Sequence, residues 1–166
     1  MIKNLDKLDQ KLILSLQEDG RHSYMDLARM LGVTEGTIRN RLRKLVDGGV
    51  MKIAAIPELH KLGYGFMGIV GMQVRLADLR TVAEQLVKNP NVCYLANVTG
   101  RYELIAIVVT RSQKEYADFM ENAVSAIPSI LRTETFVNLN IYKGHANGLD
   151  TTQLIRSLDI PPSNEH

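Results

Sequence analysis

From Leu5 to Gly49 the apolar residues recur at three- and four-residue steps, whereas beyond about residue 55 they alternate or run together. The first regime predicts helices and the second strands. Leu5, Leu8, Leu12, Ile13 and Leu16 mark an amphipathic helix over about 6–18, stopped by Asp19-Gly20. Ser23, with Asp26 three residues on, caps a short helix carrying Leu27, Ala28 and Leu31, and Gly32 ends it. Thr34 caps a third helix with Ile38, Leu42, Leu45 and Val46 on one side, closed at Gly48-Gly49.

The second regime opens with a β-prone run at 50–56, closed by Pro57, and a glycine-containing hinge at 58–65. A strand is expected at 66–76, a helix at 77–88, strands at 92–98 and 102–110, a helix capped by Ser112, and a last strand at 130–142. One helical turn is expected at 151–158. The order β-α-β-β-α-β is that of the ferredoxin-like arrangement. The expected fold is therefore α+β: an N-terminal helix-turn-helix, winged-helix-like domain at 1–52, a β-strand and hinge linker at 53–65, a ferredoxin-like sandwich at 66–145, and a polar tail at 146–166.

The segment Leu104-Ile105-Ala106-Ile107-Val108-Val109 is apolar on both faces. Two helices cover one face of such a sheet, so the other needs its own cover. A second copy of the sheet would serve, giving a homodimer; the tail is the alternative cover.

Composition adds exclusions. The 166 residues are 45% hydrophobic and 23% charged, which fits a globular protein and not a disordered one. No run of about 20 apolar residues is present, so no membrane helix is expected. Charges through residues 1–17 argue against a secretory signal, and the cytoplasm is the expected compartment. Cys93 is the single cysteine, which rules out an internal disulfide and reads as a small buried hydrophobe. His22, His60, His145 and His166 form no metal-ligand spacing, and no metal site or catalytic cofactor is expected. Nucleophile elbow, phosphate-cradling loop and dinucleotide fingerprint are all missing, so the chain does not read as an enzyme. Met25, Met30, Met67, Met72 and Met120 are assigned to core positions.

Charge is informative only when divided. The net charge is +2, but residues 1–61 hold eleven Lys/Arg against eight Asp/Glu. Arg39, Arg41, Arg43 and Lys44 fall within six residues with no acid among them. That run is either a local anion-binding face or a solvated helix flank.

Leu27, Ala28, Leu31, Gly32, Val33 and Ile38 decide between the two, because they sit where a helix-turn-helix needs a close approach, a tight turn and apolar fastening. With Ile38, Leu42 and Leu45 buried, the third helix presents Gly36, Thr37, Asn40, Arg43, Lys44 and Asp47 outward, with Arg39 and Arg41 on the flanks. Asn40 is suited to adenine, Arg43 to guanine, and Thr37 to a thymine methyl or a phosphate. Lys44, Arg39 and Arg41 suit phosphates, and the caps Ser23 and Thr34 complete the DNA-facing set. Arg41 has an internal alternative, pairing with Asp47 or Asp9. Gly36 is either a point of close approach to DNA or slack near a helix start.

These residues resemble the leucine-responsive regulatory protein/AsnC, or feast/famine, family of transcriptional regulators. The matching stretches are Leu5-Asp6, Asp9, Ile13-Leu14, Leu16, Asp19-Gly20-Arg21, Asp26-Leu27-Ala28, Ile38, Arg41-Leu42, Leu45 and Gly49-Val50, with Val98-Thr99-Gly100-Arg101-Tyr102-Glu103-Leu104 in the second half. The resemblance implies a cytoplasmic, nucleoid-associated regulator that binds double-stranded DNA, is dimeric through its C-terminal sheet, and assembles in some members into octamers. It also implies a small amino-acid-like effector at Val98, Thr99, Gly100, Arg101, Tyr102 and Glu103, with Thr133 and Thr135 nearby. Gly100 would offer backbone N–H groups to a carboxylate and Glu103 an acceptor for an ammonium. The family pattern commonly has an acid at the position of Arg101 and Asp at that of Glu103, which points to an unusual, acidic ligand. The other reading makes Arg101 and Glu103 a surface pair with no ligand. An architectural DNA-wrapping protein without an effector is the corresponding alternative for the whole chain.

Overall fold

A computed structural model of the chain describes residues 5–139, 142 and 149–156. The chain divides into two units, residues 1–55 and 56–166.

The first unit is built from α1 (Lys7–Glu18), α2 (Tyr24–Leu31) and α3 (Glu35–Asp47). Each helix starts where a side chain satisfies its orphan N–H groups. The Asp6 carboxylate accepts from the N–H groups of Leu8 and Asp9 at 2.9 Å, and the Asp9 carboxylate accepts from the Asp6 N–H at 3.3 Å, a reciprocal capping box. Ser23 and Thr34 cap α2 and α3 by accepting from the N–H groups of Asp26 and Thr37. Gly32 takes φ +69°, the left-handed region that lets α2 stop and the chain turn within two residues of the next cap. Leu12, Leu27, Ala28, Ile38, Leu42 and Leu45 close into one core, with Ile13, Leu16, Leu31, Val33 and Met51 packed around it. Ala28 is small enough for α2 and α3 to approach closely.

The second unit is a four-stranded antiparallel sheet of β1 (Phe66–Val74), β2 (Val92–Asn97), β3 (Leu104–Thr110) and β4 (Ile130–Val137), in the order β2-β3-β1-β4. Between them run α4 (Leu79–Leu86) and α5 (Gln113–Phe119), the latter continuing into a π-turn at Met120–Val124. This is the ferredoxin-like order expected from the strand and helix pattern. Alternation sorts the sheet faces. Val70, Met72, Val74, Leu104, Ala106 and Val108 pack with Val82, Leu86, Tyr116, Phe119 and Val124 beneath the helices.

On the opposite face, Val109 and Cys93 are covered by Leu59, Tyr64 and Leu154. Leu154 belongs to α6 (Thr152–Arg156), so at this end the tail provides the cover. Beyond it Tyr94 and Phe136 are 44% and 48% exposed, beside half-buried Ile69 and Ile105.

Three expectations need correction. Residues 50–56 form no strand, and the 53–65 linker contains a 3₁₀ turn at Leu59–Leu62 instead. A strand needs a hydrogen-bonded neighbour, and among the described residues the four sheet strands pair only with one another, leaving Ile53 and Ile56 exposed. Met25 and Met30 are exposed, because α2 has only eight residues and its buried side is filled by Leu27 and Ala28. The last strand ends at Val137; residues 140, 141, 143–148 and 157–166, and with them His145, His166 and the far ends of the expected strand and tail helix, lie outside the described residues.

Candidate nucleic-acid interface and effector site

Burying Ile38, Leu42 and Leu45 turns the other side of α3 outward. Gly36, Arg39, Asn40, Arg43, Lys44 and Asp47 are exposed there, and Thr37 is half-buried. A Cβ at Gly36 would meet nothing nearer than the Thr34 hydroxyl at 4.0 Å, so the chain's own packing does not demand glycine there. Thr34 and Thr37 share a hydroxyl–hydroxyl bond of 2.9 Å, and the Arg43 guanidinium donates to the Asn40 amide oxygen at 3.3 Å. Asn40 and Arg43 therefore lie side by side, one turn apart.

The remaining residues of the set are committed elsewhere to different degrees. Ser23 both accepts from the Asp26 N–H and donates to its carboxylate at 2.5 Å, which holds that carboxyl below its usual range. Its hydroxyl serves the cap. Arg41 points toward α1 and donates to Asp6 at 2.5 Å and to both oxygens of Asp9 at 3.2 Å. Asp9 is only 6% exposed, so Arg41 neutralises a buried carboxylate and fastens the third helix to the first. Arg39 donates to Glu35 at 2.9 Å and lies over the Tyr24 ring, 5.7 Å from its centroid. Sequence reasoning missed Glu35 and Tyr24. The i,i+4 spacing of Glu35 and Arg39 signals the first, while nothing local signals the second.

In the sheet unit the loop after β2 is held at both ends. The Val98 N–H donates to the Glu103 carbonyl at 3.0 Å, the Asn97 amide donates to the same carbonyl at 2.8 Å, and the Glu103 N–H donates to Met72 at 3.1 Å. The Glu103 carboxylate accepts from the Val74 N–H at 2.9 Å. At the tip Gly100 has φ +121°, with nothing within 4 Å of where a Cβ would stand. Thr99 lies beside it in the same turn.

Arg101 pairs with Glu134 at 3.2 Å and not with Glu103. Tyr102 also donates to the Glu134 carboxylate, and its ring lies flat over Gly71, where a Cβ would come within 2.7 Å of it. The Arg101 carbonyl accepts from the Gln73 amide at 3.1 Å. Val98, Gly100, Arg101, Tyr102 and Glu103 are thus one cluster, but Thr133 and Thr135 are not part of its hydrogen bonding. They pair with Met72 and Val70 on the helix-covered face, where Thr135 bonds Tyr116 at 2.6 Å. Glu134 was the residue to find, since alternation turns it to the opposite face from its threonine neighbours.

Together these units define a class, a helix-turn-helix unit joined to a separate ferredoxin-like sheet unit, and comparisons with known proteins say what that class does. Residues 5–46 match the AsnC-type helix-turn-helix domain, and residues 67–147 match the Lrp/AsnC ligand binding domain. An uncharacterised HTH-type transcriptional regulator of Pyrococcus furiosus is 35% identical over 140 residues, covering 84% of this chain and 95% of the relative. Among solved structures, Escherichia coli AsnC superposes with a TM-score of 0.80 at 26% identity, over 87% of this chain and 99% of that one. A transcriptional regulator from Neisseria meningitidis, solved as its L-Met complex, superposes with a TM-score of 0.80 at 23% identity, over 91% and 99% of the two chains. This chain belongs to the Lrp/AsnC family of transcriptional regulators. Members of the family regulate transcription and are not enzymes. No helix among the described residues is long and apolar enough to cross a membrane.

Proposed function

We propose that this chain is a sequence-specific DNA-binding regulator whose oligomeric state or DNA affinity responds to a small effector, an amino acid. The observation that carries the first half is the outward face of α3, along which Thr37, Asn40, Arg43 and Lys44 follow an open Gly36 while three apolar residues anchor the helix from behind. Asn40 and Arg43 read base edges. Arg39 and Lys44 meet phosphates, and Thr34, Thr37 and Gly36 allow the helix start to approach the backbone. Ser23 contributes through the cap of α2, and Arg41 through its hold on Asp9.

Loop 98–103 binds the effector. Its backbone is held to the sheet by three of the hydrogen bonds described above, through Arg101 and Glu103, so ordering the loop costs little on binding. The L-Met complex of the Neisseria regulator supports an amino acid as the ligand class. The exposed sheet face around Phe136 and Ile105 joins two copies of the chain, and the dimer acts in the cytoplasm on nucleoid DNA.

The test is selection of bound fragments from sheared genomic DNA by the wild type and by an Asn40→Ala/Arg43→Ala variant. A two-fold symmetric motif enriched by the wild type and lost in the variant is the expected result. Enrichment without a motif, unchanged in the variant, would establish the architectural alternative.

A further inference from the structure

Arg39 is a candidate phosphate ligand of the recognition helix that two other exposed side chains hold on the open face, unlike Arg41, which is turned back to α1. Its Nη2 is 2.9 Å from Glu35 Oε1, one helical turn earlier, and its guanidinium carbon stands 5.7 Å above the centre of the Tyr24 ring. Glu35 is the first residue of α3 and Tyr24 the first of α2, so the two helix starts converge on one cation. All three side chains are open to solvent, Arg39 at 65% and Glu35 at 49%. An exposed pair of this kind is weak and screened, so it exchanges readily. A phosphate presents more negative charge and more acceptors than a carboxylate, and the duplex field repels the carboxylate beside it.

We propose that Tyr24 and Glu35 govern the grip of Arg39 on the DNA backbone: Glu35 parks the guanidinium in the free protein and is displaced by a phosphate, while the neutral Tyr24 ring keeps the released guanidinium aimed at it. This rests on the reading of α3 as the DNA-facing helix and adds two positioning residues to it. Glu35 opposes binding and Tyr24 favours it. Because the contact is to the backbone, both act on every sequence alike.

The experiment titrates wild type, Glu35→Gln, Tyr24→Phe and Tyr24→Ala onto the selected motif and onto a mixed-sequence duplex at two salt concentrations. Glu35→Gln is expected to bind both duplexes about two- to tenfold more tightly, by releasing the Arg39 guanidinium to the phosphate. Tyr24→Ala is expected to bind about two- to fivefold more weakly, and Tyr24→Phe to match the wild type, since the ring and not the hydroxyl holds the cation. In an Arg39→Ala background both effects vanish, which a merely structural role would not produce. Weaker binding by Glu35→Gln, confined to the motif, would show Glu35 reading a base and overturn the proposal. Equal losses in Tyr24→Phe and Tyr24→Ala, or effects that survive Arg39→Ala, would do the same. Should Tyr24→Ala not fold, Glu35→Gln with and without Arg39 decides alone. Wild type that binds while the variants match it overturns this inference only; wild type that binds no DNA overturns the reading of α3 with it.

Discussion

Arg41 and Arg43 stand two positions apart in one basic run, yet the fold gives them opposite work. Arg41 reaches back to Asp6 and buried Asp9, while Arg43 stays on the open face beside Asn40. Arg41→Ala should therefore lower the melting temperature of the helical unit by about 5 °C, because it strands a buried carboxylate. Arg43→Ala should leave melting unchanged and weaken binding to the selected motif more than to a mixed-sequence duplex. Calorimetry and binding isotherms on the two variants separate these outcomes. The same unit carries carboxyls held below their ordinary range. Asp6 is lowered by the Asp9 N–H above all, and Asp19 is lowered to about 2 by the Arg21 guanidinium. A depressed folded-state pKa contributes stability above the unfolded value and loses it as pH falls through the folded one. Melting temperature should accordingly decline between about pH 4 and pH 2, and Asp19→Asn should shrink that decline modestly, since the pair is exposed. In the sheet, Gly71→Ala should cost about 1–3 kcal/mol by pushing the Tyr102 ring off the strand. In a Tyr102→Ala background the same change should cost almost nothing, which a double-mutant melting series will read.

At the level of elements, α6 is the piece whose removal should be most visible. Leu154 is 1% exposed, its carbonyl accepts from the Tyr64 hydroxyl at 3.0 Å, and the Asp150 N–H donates to the Cys93 carbonyl at 2.8 Å. The segment lies across the end of β2 and shields Cys93, whose thiol is pushed up to about 12 by burial and then by the nearby Asp150 charge. The full chain should therefore be inert to a thiol reagent at neutral pH. A chain ending at residue 148 should react within minutes, and Leu154→Ala, costing about 2–4 kcal/mol, should fall between them. A truncated chain as inert as the full one would mean that Cys93 is buried by the sheet alone. The β-prone residues 50–56 teach the converse: Ile53 and Ile56 have strand propensity but no neighbouring strand, and propensity alone does not make a ladder.

For the molecule as a whole, the proposed dimer rests on the outer sheet face. The tail covers its Val109 end, so among the described residues the part around Ile69, Tyr94, Ile105 and Phe136 would receive a second copy. Phe136→Glu should shift the sedimentation coefficient from dimer to monomer while leaving the melting of the sheet unit within a few degrees, because this side chain is half exposed in the single chain. A variant that still sediments as a dimer would place the interface elsewhere. Monomers would also lose the pairing of recognition helices on one face of the duplex, and with it tight binding to a symmetric site.

The residues that act locally could be read without a structure. Caps at Asp6, Ser23 and Thr34 act on N–H groups two or three positions away, and the glycine after α2 acts on its own φ, so these devices are written into consecutive letters. Helical and strand periodicity likewise carried the two-part plan, the ferredoxin-like order and the buried side of α3. What the letters did not carry are contacts between residues far apart. Tyr24 beneath Arg39, Glu134 under Tyr102, and Leu154 over Cys93 all join segments whose separation only packing closes, and packing also chose Asp9 over Asp47 for Arg41. The sequence by itself determined which face of each element is apolar. Tertiary structure decided which charge is spent on holding the fold and which remains free to meet DNA, because that depends on distances no periodicity encodes.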